Sequence, residues 1–266
     1  MSESGVFSCR GYDLRFDSIL IMGILNVTPD SFSDGGWYND IEKAVEHTYK
    51  MVEEGADVID IGGESTRPGA LPIDIVEELG RVLPVVKRLV KEIFVPISID
   101  TYKPEVAQVC LEEGVQMIND IYGLQNQEMV GLAIRYDVPT IIMHGPGMPM
   151  LRTEDVVEEV KSSLVARLGN IKKMGMEKMI IDPGFGFGKN PKQNYELLEG
   201  LVSLLDLKAP LLIGTSRKSF FKERQLPTFE TLVRGITRGA NILRVHDVKL
   251  AKRALSCVGC KRSALP

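Results

Sequence analysis

Short apolar runs rich in Ile and Val recur along the chain at 19–25 (ILIMGIL), 57–61 (DVIDI), 96–100 (PISID) and 116–119 (QMIN). They continue at 139–143 (PTIIM), 178–182 (KMIID), 210–214 (PLLIG) and 241–245 (NILRV). These eight runs lack polar alternation, the pattern of parallel strands covered on both faces by helices. Helical periodicity fills the gaps over 40–54, 74–92, 104–113, 127–136, 154–174, 193–205, 228–238 and 247–257. In the first of these, Ile41, Ala44, Val45, Thr48, Met51 and Val52 form one stripe, with Glu42, Lys43, Glu46 and Lys50 outside it. Eight strands alternating with eight helices, without a linker or low-complexity break, predict an α/β protein built as a single-domain (β/α)8 TIM barrel over residues 19–266. An open doubly wound sheet is the alternative. Residues 1–18 precede the first repeat, and 6–17 read as a short N-terminal hairpin plugging the barrel bottom.

A length of 266 residues suits one such barrel, and 44% hydrophobic with 26% charged residues excludes disordered, collagen-like and fibrous classes. Lys plus Arg number 32 against 36 for Asp plus Glu, a net charge of −4, so no nucleic-acid partner is expected. Any anion this chain binds must be met by local positive charge. No apolar stretch approaches the ~20 residues that span a bilayer, and the N-terminus shows no basic segment followed by an apolar one. Four cysteines, Cys9, Cys110, Cys257 and Cys260, are too few and scattered for a disulfide scaffold, which points to a reduced, cytoplasmic setting. Cys257 and Cys260 form a CxxC, but it closes the last helical pattern and no second pair completes a zinc site.

A barrel carries its reaction site at the C-terminal ends of its strands. The residues there are Asn26, Asp60 with 62–67, Asp100, Asn119 with Asp120, His144, Asp182, 216–219, and Arg244 with His246. Asp100, Asn119 and Asp182 offer carboxylates and an amide to the donor and acceptor edge of a flat heterocycle. Arg67, Arg217, Lys218, Arg244 and His246 offer positive charge to a phosphate or diphosphate. Together they suggest a neutral ring attached to an anionic group.

The Gly-rich stretch at 183–189 (PGFGFGK) is not a Walker loop, because Pro183 and Asn190 stand where that motif needs Gly and Ser or Thr. It reads as a sharp turn beneath a ligand, with Phe185 or Phe187 as an apolar wall. Of the histidines, His47 falls on the outer part of the first helix, and His144 is as readily structural as ligand-binding. His246 is expected to share a face with Arg244, two residues away on an extended strand. A catalytic zinc centre is not indicated by three such histidines. Met143, Met148 and Met150 read as pocket packing.

In order along the chain, MGILNVTPDSFSDGG at 22–36, DIGGESTRPG at 60–69, SIDTYKP at 98–104 and INDI at 118–121 resemble motifs of the dihydropteroate synthase family. So do MH at 143–144, DPGFGFGK at 182–189, SRK at 216–218 and RVHDV at 244–248. The similarity covers all eight strands. It implies a (β/α)8 enzyme of folate synthesis that joins a dihydropterin methyl diphosphate to 4-aminobenzoate and releases diphosphate. The same resemblance implies that Asp100, Asn119 and Asp182 hold the pterin ring, that Ile121, Met143 and Gly214 line it, and that Lys218 bonds its polar edge. Asn26, Arg67, Arg244 and His246 would bind the diphosphate, Asn26 through Mg²⁺. The 4-aminobenzoate would sit against Thr66, Pro68, Phe187 and Lys218 under a cover from Phe32, its carboxylate meeting Ser219 at a helix N-terminus. Asp100, Lys218, Arg244 and His246 carry the catalytic roles. The implied mechanism is dissociative, with diphosphate leaving before the amine attacks and Asp100 beside the developing cation.

Two departures from the family pattern stand out. Only 26 residues separate Arg217 from Arg244, and the segment there contains TFETLVRGITRGA at 228–240. Helices six to eight usually make the family's dimer contact, so the homodimer is left open. Gly145 replaces the usual Met after His144, which is expected to loosen one pocket wall. The competing functions are a pterin-dependent methyltransferase and a non-catalytic pterin-binding homologue. Residues 28–38 and 64–71 have little apolar anchorage, so ordering by ligand is expected there.

Overall fold

The computed structural model describes residues 5–28, 37–65, 70–146, 148, 155–216, 218 and 228–259, and only the backbone of 37–39. It opens with an antiparallel hairpin, β1 (Val6–Cys9) and β2 (Tyr12–Arg15), turned by Arg10 and Gly11 in left-handed conformations (φ 47° and 99°). The barrel strands are β3 (Leu20–Asn26), β4 (Val58–Gly62), β5 (Ile97–Asp100), β6 (Met117–Asp120) and β7 (Thr140–Met143), followed by β8 (Met179–Asp182), β9 (Leu212–Ile213) and β10 (Ile242–Val245). The helices between and after them are α1 (Trp37–Glu54), α2 (Ile75–Glu92), α3 (Pro104–Glu112), α4 (Gln127–Tyr136), α5 (Val156–Lys173), α6 (Pro191–Glu199), α7 (Thr228–Thr237) and α8 (Val248–Val258).

All neighbouring barrel strands pair in parallel, in the order β8-β7-β6-β5-β4-β3-β10-β9. A parallel bridge from Ile181 to Leu211 joins the two ends of that order. The ring therefore closes into the (β/α)8 barrel, and this closure excludes the open doubly wound alternative.

The predicted segment 193–205 is two elements, α6 and a 3-10 turn over Leu201–Leu207, meeting at Gly200. A Cβ at Gly200 would lie 2.5 Å from Val157, so the close approach of α5 fixes the break there. Residues 210–214 form only a two-residue strand.

Successive inward positions on a strand are two residues apart. The lower inward layer is apolar: Met22, Val58, Met117, Ile141, Ile180, Leu212 and Ile242 pack in one cluster with Phe7, Cys9 and Leu14 of the hairpin. The hairpin closes this end of the barrel. Arg10 anchors its turn by donating to the carbonyls of Leu111 (2.6 Å) and Val115 (2.8 Å). A separate cluster of outward strand residues and helix stripes forms the layer between sheet and helices.

Candidate active site

Two residues beyond that apolar layer, six of the strands turn to a different kind of residue. Asp60 follows Val58, Asn119 follows Met117, Met143 follows Ile141, Asp182 follows Ile180, Gly214 follows Leu212 and Arg244 follows Ile242. A cleft of about 390 Å³, its mouth included, opens onto this upper layer. Asp100, Asn119, Ile121, Met143, Asp182, Gly214 and Lys218 line it, so every residue expected at the pterin ring lies on one cleft. Arg244, Phe185 and Phe187 complete its walls.

On one side of the cleft, Arg244 bridges two carboxylates. Its Nε donates to Asp60 Oδ2 at 2.6 Å, and its Nη2 donates to Asp100 Oδ2. The same Asp60 oxygen accepts from Asn119 Nδ2 at 2.9 Å, so one fully buried carboxylate orients two cleft residues. Burial pushes the Asp100 carboxyl up to about 7, with Arg244 pulling down and Asp60 pushing up. Arg244 stays charged: burial opposes its charge, but Asp60 and Asp100 more than compensate.

On the other side, Asp182 Oδ1 accepts from Gly184 N at 2.8 Å, and burial raises its pKa against that bond and nearby cations. Lys218 Nζ lies 4.9 Å over the Phe187 ring, its pKa lowered first by burial and then by Arg244. Cleft and charge together suit a flat polar ring with an anionic substituent.

One residue past β10, His246 Nδ1 lies 3.1 Å from Ser216 Oγ, which follows β9 at the same end of the barrel as Arg244. At Gly145 a Cβ would fall 2.1 Å from the Ile121 carbonyl oxygen, so only glycine admits this close approach of backbone beside the cleft-lining Ile121. His47 is exposed, as expected.

Asn26 is half-buried at the end of β3, beside Gly62 of β4. Among the described residues no group of three or more His, Cys, Asp or Glu could hold a metal ion. Phe32, Thr66, Arg67, Pro68, Arg217 and Ser219, expected at the 4-aminobenzoate and diphosphate sites, lie outside the described residues.

Three contributors had no role assigned from sequence. Asp60 was visible only as one strand-end polar residue, and its partner Arg244 lies 184 positions away. Lys189 was visible only as the last residue of the 183–189 stretch, yet it is buried and holds loop backbone. Glu64 accepts from Tyr102 Oη (2.9 Å) and pairs with Lys103, which also pairs with the buried Glu78. This cluster ties the base of the loop after β4 to the start of α3 and to α2.

Residues 22–246 match the family model described as pterin binding enzyme. The chain is 43% identical over 247 residues to a dihydropteroate synthase of Clostridium beijerinckii, covering 88% of this chain and 91% of that protein. It superposes on the Xanthomonas albilineans dihydropteroate synthase solved with 4-aminobenzoic acid at a TM-score of 0.90 and 42% identity, covering 96% of this chain and 97% of that one. The Yersinia pestis dihydropteroate synthase solved with a sulfonamide drug is similar at a TM-score of 0.86 and 39% identity, covering 96% and 98%.

Proposed function

The chain belongs to the dihydropteroate synthase family of pterin-binding enzymes, and from that membership we propose how its own residues carry out the family reaction. A dihydropterin methyl diphosphate and 4-aminobenzoate are joined, and diphosphate and 7,8-dihydropteroate leave. The observation that carries this reading is the single cleft in which Asp100, Asn119, Asp182, Lys218 and Arg244 meet.

Asp182 and Asn119 take the donors and acceptors of the ring edge, with Met143, Ile121 and Gly214 against its faces. Asp60 leaves the Asn119 amide and the Arg244 guanidinium pre-aimed. Arg244 uses Nε and Nη2 on its carboxylates, which leaves its Nη1 donors for the diphosphate. Lys218, Arg67 and His246 add charge and donors to that group. As the methylene carbon–oxygen bond breaks, its electron pair goes to the diphosphate, and Asp100 stands beside the cation left on the pterin methylene. The amine of 4-aminobenzoate then adds through its lone pair and gives up a proton. Phe32, Thr66, Pro68, Phe187 and Ser219 form its pocket.

Asn26, half-buried at the end of β3, offers an amide oxygen of the kind Mg²⁺ takes and would hold that ion against the diphosphate. Bound there, the ion supplies neutralisation of charge on the diphosphate oxygens. The partners are small molecules, with no nucleic acid. We place the enzyme in the cytoplasm, in keeping with the buried free thiols of Cys9 and Cys110, which burial pushes up to about 12. Among the described residues no helix is long and apolar enough to cross a membrane.

A methyltransferase handing a methyl group to a corrinoid has no use for Lys218 and Arg244 beside the pterin carboxylates. The deciding test incubates the purified chain with dihydropterin methyl diphosphate, labelled 4-aminobenzoate and Mg²⁺. Labelled dihydropteroate is the expected product. Pterin binding without product identifies a non-catalytic homologue. A sulfonamide is expected to compete with 4-aminobenzoate and to bind tightly only when diphosphate or the pterin ester is present.

A further inference from the structure

Lys189 ends the glycine-rich loop after β8, and its side chain turns back beneath that loop. The ammonium is buried and reaches Gly184 O at 2.9 Å, Phe187 O at 3.1 Å, His144 O at 3.3 Å and His144 Nδ1 at 3.0 Å. None of these partners is a carboxylate. Burying an ammonium is costly unless its hydrogen bonds are met, and here carbonyl oxygens and an imidazole nitrogen meet them. The loop is shaped for this role: Gly184, Gly186 and Gly188 all adopt left-handed backbone (φ 68°, 82° and 65°). Without a cation, carbonyl dipoles converging on one point would oppose one another. Burial lowers Lys189 to about 8, with Asp182 and Glu159 pulling it back, while burial and the Lys189 charge lower His144 to about 4. At neutral pH the lysine therefore carries the proton and His144 accepts from it.

The same turn sets the pterin side of the cleft. Gly184 N donates to Asp182 Oδ1, and Phe185 and Phe187 wall the cleft. Gly184 also lies so close to the preceding loop that a Cβ would fall 1.9 Å from His144 O. The outer side of the loop is tied separately, by Gly186 N to Asn194 Oδ1 at 2.7 Å.

We propose, resting on the pterin reading above, that Lys189 is a positioning residue: its ammonium is the internal cation around which the 183–188 loop folds, and through the Gly184 and Phe187 carbonyls it holds Asp182 and the aromatic wall in their ring-binding arrangement. His144 serves it as an acceptor, not as an acid or base.

The test is calorimetric affinity for a simple pterin, with KM for 4-aminobenzoate at saturating pterin diphosphate and a melting curve for each protein. Lys189→Met is expected to weaken pterin affinity about tenfold or more, and to move the 4-aminobenzoate KM less. Val86→Ala, in the buried face of α2, serves as the stability control and is expected to lower the melting temperature without moving pterin affinity. His144→Asn keeps an acceptor where Nδ1 stands and is expected to bind pterin within about twofold of the parent, whereas His144→Ala loses several-fold. Unchanged pterin affinity in Lys189→Met, or an equal loss in Val86→Ala, overturns the proposal. Should Lys189→Met not fold, the His144 pair decides: equal affinities in the Asn and Ala variants overturn it. A parent protein that binds no pterin refutes the pterin reading itself, whereas a parent that binds alongside unaffected variants refutes only the role of Lys189.

Discussion

The lower and upper inward layers of the barrel come from the same strands and stand only two residues apart, yet one is apolar apart from the buried Ser98 of β5 and the other holds the charges. Met22, Val58, Met117, Ile141, Ile180, Leu212 and Ile242 meet the hairpin and exclude water from below. Asp60, Asn119, Asp182 and Arg244 sit directly above them. In the upper layer, burial raises the Asp100 carboxyl to about 7, and Arg244 bonds both Asp60 and Asp100.

The largest expected effect comes from Arg244→Ala, which leaves Asp60 and Asp100 buried side by side without their counter-ion. Breaking such a pair costs about 3–5 kcal/mol, to be read from urea unfolding at pH 7. Single-turnover release of diphosphate should slow by on the order of 10²–10³, more than pterin affinity falls, because charge on the leaving oxygens grows in the transition state. Equal losses in rate and affinity would contradict its role at the diphosphate.

Phe7→Ala attacks the lower layer alone. Phe7 packs edge-on against Phe16 at 5.1 Å and is buried in the plug, so its truncation should cost about 3 kcal/mol. Pterin affinity should hold, since no cleft residue is touched. Denaturant midpoint and calorimetry together separate the two layers.

Gly145→Ala probes the rim between them. The added Cβ must displace the Ile121 carbonyl, a strain of about 1–3 kcal/mol, and Ile121 lines the cleft. Both the melting temperature and pterin affinity are expected to drop. A stable variant with full affinity would show the rim to be pliant.

Per unit of change, the smallest effect is a pH slope. Asp100 titrates in the folded protein at about 7, above its ordinary 3.8, so between these values the native state binds more protons than the unfolded one. Stability must then fall as pH rises from about 4 to 7, by at most ~1.4 kcal/mol per pH unit, and level off above 7. Asp120, pushed up to about 6 by burial, adds a slope of the same sign. Asp100→Asn should remove the Asp100 share only. A parent-minus-variant difference that stays constant across this range would show that Asp100 is not desolvated.

Much of the site was legible because a barrel converts chain order into radial order. Each apolar run ends at the rim, so the polar residue closing it had to face the reaction site or cap a helix. Asp100, Asn119 and Asp182 were found by that rule. It did not reach Lys189, because local spacing says nothing about carbonyls gathering beneath a loop. Helix ends were read to within a few residues except at 193–205, where a neighbouring valine decides the break.

The sequence by itself determined the alternation of apolar runs and amphipathic stripes, hence the barrel, and the composition of its rim, because burial of those faces admits few other arrangements. Tertiary structure alone decided which groups share a bond. Asp60 meets Arg244 only because β3 lies between β4 and β10 in the closed ring, and Gly145 is required only because the end of β6 passes 2.1 Å from where its Cβ would stand. Partnership and steric fit are set by distances in space, and residues 184 positions apart carry no local mark of meeting.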